Sequence, residues 1–195
     1  MNASTLPAQL QLSNQEGRTR LADILRERSV RTGNFTLASG KQSDLYVDVR
    51  KTSLDPEGAW WIGRLFTAEL ADYPDVEAVG GPTLGADPLT TATSLAAWTL
   101  GRRLLGFLIR KQAKGHGTGR WIEGPDLADG TPVVLLEDVL TTGGSALQAC
   151  ERVRAHGLNI CAVFAVVDRE EGGRQAIEEA GYPVRALFTR SELLS

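Results

Sequence analysis

Two cysteines, two histidines, one methionine and 6% aromatic residues leave this 195-residue chain little material for several common chemistries. Cys150 and Cys161 have apolar neighbours and no Cys-x-x-Cys or Cys/His ligand spacing. That excludes a structural zinc site and a disulfide scaffold, and both thiols are expected to be reduced and buried. No apolar run approaches the length of a membrane span. The net charge of −3, with both signs interspersed, provides no general basic field for nucleic acid. Met1 to Gly17 is polar and rich in Gln, Asn and Ser, without the basic and apolar regions of a signal peptide. Residues 1–17 are therefore expected to form a flexible leader, and the protein is expected to be cytoplasmic with no membrane partner. No Cys or Ser stands in a recognisable nucleophile and base arrangement, so no covalent intermediate is expected.

What is present centres on Val133-Val134-Leu135-Leu136-Glu137-Asp138-Val139-Leu140-Thr141-Thr142-Gly143-Gly144-Ser145. Four apolar residues in a row predict a strand, Val133 to Glu137, buried on both faces. After Gly144 the apolar residues Ala146, Leu147, Ala149, Cys150 and Val153 return at helical spacing. Glu137 and Asp138 are expected to end the strand where side chains leave the sheet. Thr-Thr-Gly-Gly-Ser then opens a helix whose first amides lack internal partners, a ready site for a phosphate monoester. This is not a Walker loop, which needs a Lys before its Ser or Thr, nor the Gly-x-Gly-x-x-Gly of dinucleotide sites. Carboxylates beside a phosphate cradle repel a bare phosphate and call for vicinal hydroxyls, a divalent cation, or both. A ribose 5-phosphate satisfies that requirement.

The rest of the chain supplies the frame. Thr19 to Arg28 reads as a helix, Phe35 to Leu37 and Leu45 to Val49 as two short strands joined by a turn, and Asp55-Pro56-Glu57 as the start of an amphipathic helix. From Val76 onward strand and helix alternate: strands at Val76 to Val79, Leu104 to Ile109, Val133 to Glu137, Ile160 to Val167 and Val184 to Phe188, with helices at Pro88 to Leu100, after Gly144 and at Gly173 to Ala180. The fold class is α/β, an open, mainly parallel twisted sheet flanked by helices. Ligands of such sheets gather at the carboxyl ends of the strands. There the chain places Gly80 to Gly85, Arg110-Lys111, Glu137-Asp138 and Asp168-Arg169.

A second constellation, Arg110-Lys111-Gln112-Ala113-Lys114-Gly115-His116-Gly117-Thr118-Gly119-Arg120, concentrates basic and imidazole groups among glycines with no apolar period. Clustered positive charge on such a segment suits a polyanion, pyrophosphate above all. With no aromatic platform beyond Trp121, nucleic acid is not the expected partner. His156, just before Gly157, reads as a helix-end residue with no catalytic part.

Val133 to Ala146 resembles the phosphoribosyl pyrophosphate (PRPP) motif of type I phosphoribosyltransferases, and Arg-Lys-x-x-Lys-x-His-Gly resembles the loop of the orotate branch of that family. The resemblance covers roughly Leu21 to Leu187. It implies a single transferase domain, 18–195, with a small N-terminal hood (about 18–55 plus the C-terminal end) and a core of about 56–188. It implies PRPP contacts from Arg110, Lys111, Lys114, His116, Glu137, Asp138, Val139, Leu140, Thr141, Thr142, Gly143, Gly144 and Ser145, with Glu137 and Asp138 on the ribose hydroxyls. Lys111, Lys114, His116 and Asp138 are the implied catalytic residues, and Thr141, Arg169 and Tyr46 the implied orotate contacts. Mg2+ would be held mainly through PRPP and water, and the enzyme would be a homodimer whose loop serves the neighbouring subunit's site. Ala38 stands where many relatives carry Lys, with Lys41 nearby. A transferase for a purine base would keep the strand and loop without a reason to keep Arg169 and the loop histidine. A PRPP-sensing regulator that binds RNA or DNA would need a basic face outside the site.

Overall fold

Val133 to Leu136 lie in a strand with a neighbour on each side, and the layers of the molecule pack against its two faces. The computed structural model describes residues 13–36, 42–112 and 121–195. In chain order the elements are α1 (Asn14–Arg28), β1 (Val30–Thr36), β2 (Gln42–Val47), α2 (Arg50–Ser53), α3 (Pro56–Glu69), β3 (Ala78–Pro82) and α4 (Ala86–Thr99). There follow β4 (Leu105–Ile109), β5 (Ile122–Glu123), β6 (Pro132–Leu140), α5 (Gly144–Ala155), β7 (Asn159–Asp168), α6 (Gly173–Glu179), β8 (Val184–Thr189) and α7 (Arg190–Leu194). The main sheet runs β5-β4-β3-β6-β7-β8, parallel throughout except for the short antiparallel β5 at its edge. This is the expected open, mainly parallel α/β sheet. β1 and β2 form a separate antiparallel ribbon.

Alternation along β6 divides the core. Val134 and Leu136 pack in the layer of Leu21, Ile24, Trp61 and Phe66 from α1 and α3, while Val133 and Leu135 pack against Ala149, Cys150 and Val153 of α5. Each fully buried side chain of this kind contributes roughly 1.5–3 kcal/mol. Asp55 starts α3 as its sequence suggests, accepting from the amides of Glu57 and Gly58 at 3.1 Å with Pro56 in the first turn. α1 and α3 approach so closely at Gly17 that a Cβ there would enter the Trp61 ring.

Several boundaries differ from the sequence reading. α1 begins at Asn14 rather than Thr19, fixed by a capping box in which Ser13 Oγ accepts from Glu16 N and Glu16 Oε2 accepts from Ser13 N. Residues 14–17, expected in the leader, are therefore helical. β6 does not stop at Glu137, because Val139 and Leu140 go on pairing with Val167 and Asp168. Cys150 is buried as expected, whereas Cys161 is only half-buried; both are free thiols. His156 caps the carboxyl end of α5.

Candidate active site

The turn from β6 into α5 is held from behind. Leu140 O accepts from Arg169 N and Thr141 O from Gly173 N, both at 2.9 Å, so the carbonyls face inward. The first amides of α5, which have no intrahelical acceptor, are left for a ligand. Gly143 has φ of 81°, and a Cβ there would lie 3.0 Å from Gly173 O, so conformation and close approach both require glycine. Thr142, Gly144 and Ser145 are exposed and Thr141 half-buried. With Glu137, Val139, Leu140 and Ala146, the turn residues Thr141, Gly143 and Ser145 line a small cleft. These are an anion cradle's parts: backbone amides, hydroxyls and a helix amino end.

The two carboxylates flank this cradle differently. Glu137 is buried, and among the described residues no donor reaches its Oε2. Burial, and then the neighbouring Asp138, push its carboxyl up to about 8. Asp138 lies nearer the surface, with Oδ1 accepting from Val139 N at 2.9 Å. Its pKa is also raised, by burial, against the opposing pull of that amide and of Arg50. Arg50 is itself bridged to Asp48 at 2.8 Å. The β3–α4 turn closes on the same carboxylate, since a Cβ on Gly85 would fall 2.5 Å from Asp138 Cγ. The peptide between Thr83 and Leu84 in this turn is cis.

Arg169 is not paired with Asp168. Asp168 is tied to Arg174 at 3.0 Å and to Glu170 N at 2.9 Å, while the Arg169 guanidinium is buried and reaches Glu171 Oε1 at 2.6 Å and Leu45 O at 3.3 Å. It therefore links the end of β7 to the β1–β2 ribbon, next to Tyr46, which is 39% exposed and packs on Phe35 with ring centroids 5.7 Å apart. A carboxylate ligand at this point would compete with Glu171 for the guanidinium.

Arg110 and Lys111 lie at the end of β4, and Arg110 Nη1 bridges Glu123 Oε1 at 3.0 Å. Ala38, Lys41, Lys114 and His116 fall outside the described residues. Sequence reasoning missed two contributors. Arg152 of α5 donates to Arg110 O at 3.1 Å and lies 4.3 Å from the centre of the Trp121 ring, and Arg110 N donates to Trp121 O at 2.9 Å. Arg152 thereby joins the two ends of the basic segment, a contact with no local sequence signal. Arg50 was legible only as a basic residue after Asp48.

Among the described residues no group of three or more His, Cys, Asp or Glu could hold a metal ion by itself. A donor set of two carboxylates, one with an oxygen that meets no donor, nonetheless fits a hard cation that takes its other oxygens from phosphate and water, as Mg2+ does.

No family model matches the chain. An orotate phosphoribosyltransferase of Aquifex aeolicus is 46% identical over 180 residues, which cover 91% of this chain and 97% of that protein. One from Thermosynechococcus vestitus is 44% identical over 176 residues, covering 90% and 92%. The crystal structure of Mycobacterium tuberculosis H37Rv orotate phosphoribosyltransferase in complex with PRPP superposes with a TM-score of 0.78 at 37% identity, covering 92% of this chain and 99% of that one. Strand order, cradle, carboxylate pair and these likenesses agree, and the chain belongs to the orotate phosphoribosyltransferase family.

Proposed function

We propose that the chain transfers the ribosyl 5-phosphate group of PRPP to orotate, giving orotidine 5'-monophosphate and pyrophosphate in pyrimidine biosynthesis in the cytoplasm. The observation that carries this reading is the Glu137–Asp138 pair beside an open helix amino end: acceptors for ribose hydroxyls next to donors for the 5-phosphate. Thr141 to Ser145 hold the phosphate, while Asp138, held between Gly85 and its own backbone, orients the ribose. When bound, Mg2+ supplies positive charge that neutralises the PRPP phosphates, with Glu137 and Asp138 as the available carboxylate ligands. As the anomeric carbon leaves the pyrophosphate oxygen for an orotate nitrogen, negative charge grows on pyrophosphate, and Arg110, Lys111, Lys114 and His116 stabilise it. Arg169, Tyr46 and Thr141 receive orotate, the guanidinium fork matching its carboxylate. Two copies assemble, each lending its Arg110 to His116 segment to the other's site.

A base panel tests this reading. With Mg2+ and PRPP, orotate should be consumed, uracil turned over far more slowly, and adenine, hypoxanthine and guanine left untouched. Consumption of a purine would move the chain to another branch of the fold, and consumption of none would support a PRPP-sensing role.

A further inference from the structure

Asp168, Glu170 and Glu171 place three carboxylates around the end of β7, and two of them are committed to the fold. Asp168 accepts from Arg174 Nε at 3.0 Å and from Glu170 N at 2.9 Å. Glu170, at φ of 58°, accepts from Ser191 N at 2.9 Å and from Ser191 Oγ at 2.6 Å, which ties the turn to α7. The third carboxylate is held differently. Glu171 Oε1 meets Arg169 Nη2 at 2.6 Å, and among the described residues it makes no other ion pair. The Glu171 side chain is 32% exposed, against 6% for that of Arg169. Gly172 follows at φ of 89°, so Glu171 stands between two left-handed backbone positions at the outside of the turn.

This asymmetry has a chemical consequence. A guanidinium as buried as that of Arg169 is costly without a countercharge, whereas a carboxylate at the surface regains water when it leaves its partner. The pair can therefore be exchanged but not simply opened. Orotate brings a carboxylate of its own, so its binding replaces one pair by another, and its affinity reflects the difference between the two. Uracil brings none and leaves the Arg169–Glu171 pair in place. When product leaves, the return of Glu171 keeps the guanidinium compensated. Leu45 O, which accepts from the same Nη2 at 3.3 Å, keeps Arg169 aimed at the β1–β2 ribbon. With Glu170 fixed on Ser191, a side-chain rotation of Glu171 is enough for the exchange.

We propose that Glu171 is a positioning residue that stands in for the substrate carboxylate on Arg169, yields it to orotate, and reclaims it as orotidine 5'-monophosphate departs. The proposal rests on the orotate reading above and adds to it the group that keeps substrate and product from binding too tightly for turnover.

Calorimetric titration of wild type and Glu171→Gln with orotidine 5'-monophosphate and uridine 5'-monophosphate, which differ in that carboxylate alone, tests the proposal. Wild type should bind the orotidine nucleotide more tightly. In Glu171→Gln its Kd should fall about tenfold, mostly through slower dissociation in a stopped-flow chase, while Kd for the uridine nucleotide stays within about twofold. KM for orotate should fall with it. An orotidine nucleotide Kd that is unchanged or weaker in Glu171→Gln overturns the proposal, because loss of a residue that only holds Arg169 in place would weaken binding. Equal tightening of both nucleotides overturns it too. Wild type without preference between the two overturns the proposal and Arg169 as the carboxylate reader, and wild type that binds neither overturns the orotate reading as well. Should Glu171→Gln fail to fold, Glu171→Ser decides by the same titrations.

Discussion

The carboxylate of Asp138 fills the space where a side chain on Gly85 would stand: a Cβ at 85 would lie 2.5 Å from Asp138 Cγ and 2.6 Å from Oδ2. Gly85 itself has φ of −60°, which alanine adopts without strain, so it is the contact with Asp138 rather than the backbone that opposes Gly85→Ala. The variant should fold, with a stability loss of about 1–3 kcal/mol from overpacking. Because Asp138 must move, kcat/KM for PRPP should fall about tenfold, some 1.4 kcal/mol of transition-state stabilisation. Steady-state kinetics with orotate saturating checks this, and an unchanged kcat/KM would show that the position of Asp138 does not matter.

Glu137 makes stability depend on pH with a defined sign. Its folded-state pKa of about 8 lies above the ordinary 4.5, so across that window the folded chain keeps a proton that the unfolded chain has released. Stability of the free protein should therefore fall as pH rises from about 4.5 to about 8. Glu137→Gln should remove most of that slope and be more stable than wild type at pH 7 by on the order of 3 kcal/mol, with the difference vanishing near pH 4. Urea unfolding across this range measures it. Ribose hydroxyls donating to the carboxylate favour its charged form, so PRPP binding at pH 7 should release protons, seen as a buffer-dependent calorimetric heat. Parallel pH profiles for wild type and variant would contradict the assignment.

Much of this site was legible before any coordinates. The run Val133 to Leu136 identified its strand, and Thr141 to Ser145 the turn into α5, because burial on both faces and a glycine-opened helix each leave a local pattern. The end of β6 was not legible. Glu137 and Asp138 look like a strand terminus, yet the ladder to β7 continues to Leu140 and covers Glu137, which raises its pKa. β5 and α2 are too short to carry a period. The start of α1 was written in Ser13-x-x-Glu16, a capping box that apolar spacing alone overlooks. The partner of Arg169 was hidden because it depends on the chain's path after β7, where Glu170 adopts φ of 58° and Glu171 turns back to the guanidinium.

Arg169→Lys should not be conservative. A point charge cannot reproduce the planar contacts to Glu171 and Leu45 O, nor two parallel bonds to a carboxylate. Arg169→Ala should cost roughly 1.5–3 kcal/mol in selectivity for orotate over uracil and leave PRPP affinity near wild type. The ratio of kcat/KM values for the two bases, with PRPP saturating, is the readout. An unchanged ratio would remove Arg169 from the base site.

Arg152 should act on the basic segment through its two ends. Arg152→Ala removes both the bond to Arg110 O and the contact with Trp121, and kcat should fall about tenfold while KM for orotate stays near wild type. Arg152→Lys keeps charge near Trp121 and should recover part of the loss. Equal losses in both variants, or a loss confined to KM, would point to a structural role alone.

The central claim is that β6, its turn and α5 form a PRPP site that serves orotate. The most direct test is PRPP- and Mg2+-dependent formation of orotidine 5'-monophosphate by wild type and by the Glu137→Gln, Asp138→Asn double variant, with circular dichroism confirming that both are folded. Steady product formation by wild type, and a rate in the folded double variant at least about a hundredfold lower, is the predicted result. No product from wild type, or an undiminished rate in the double variant, would contradict it.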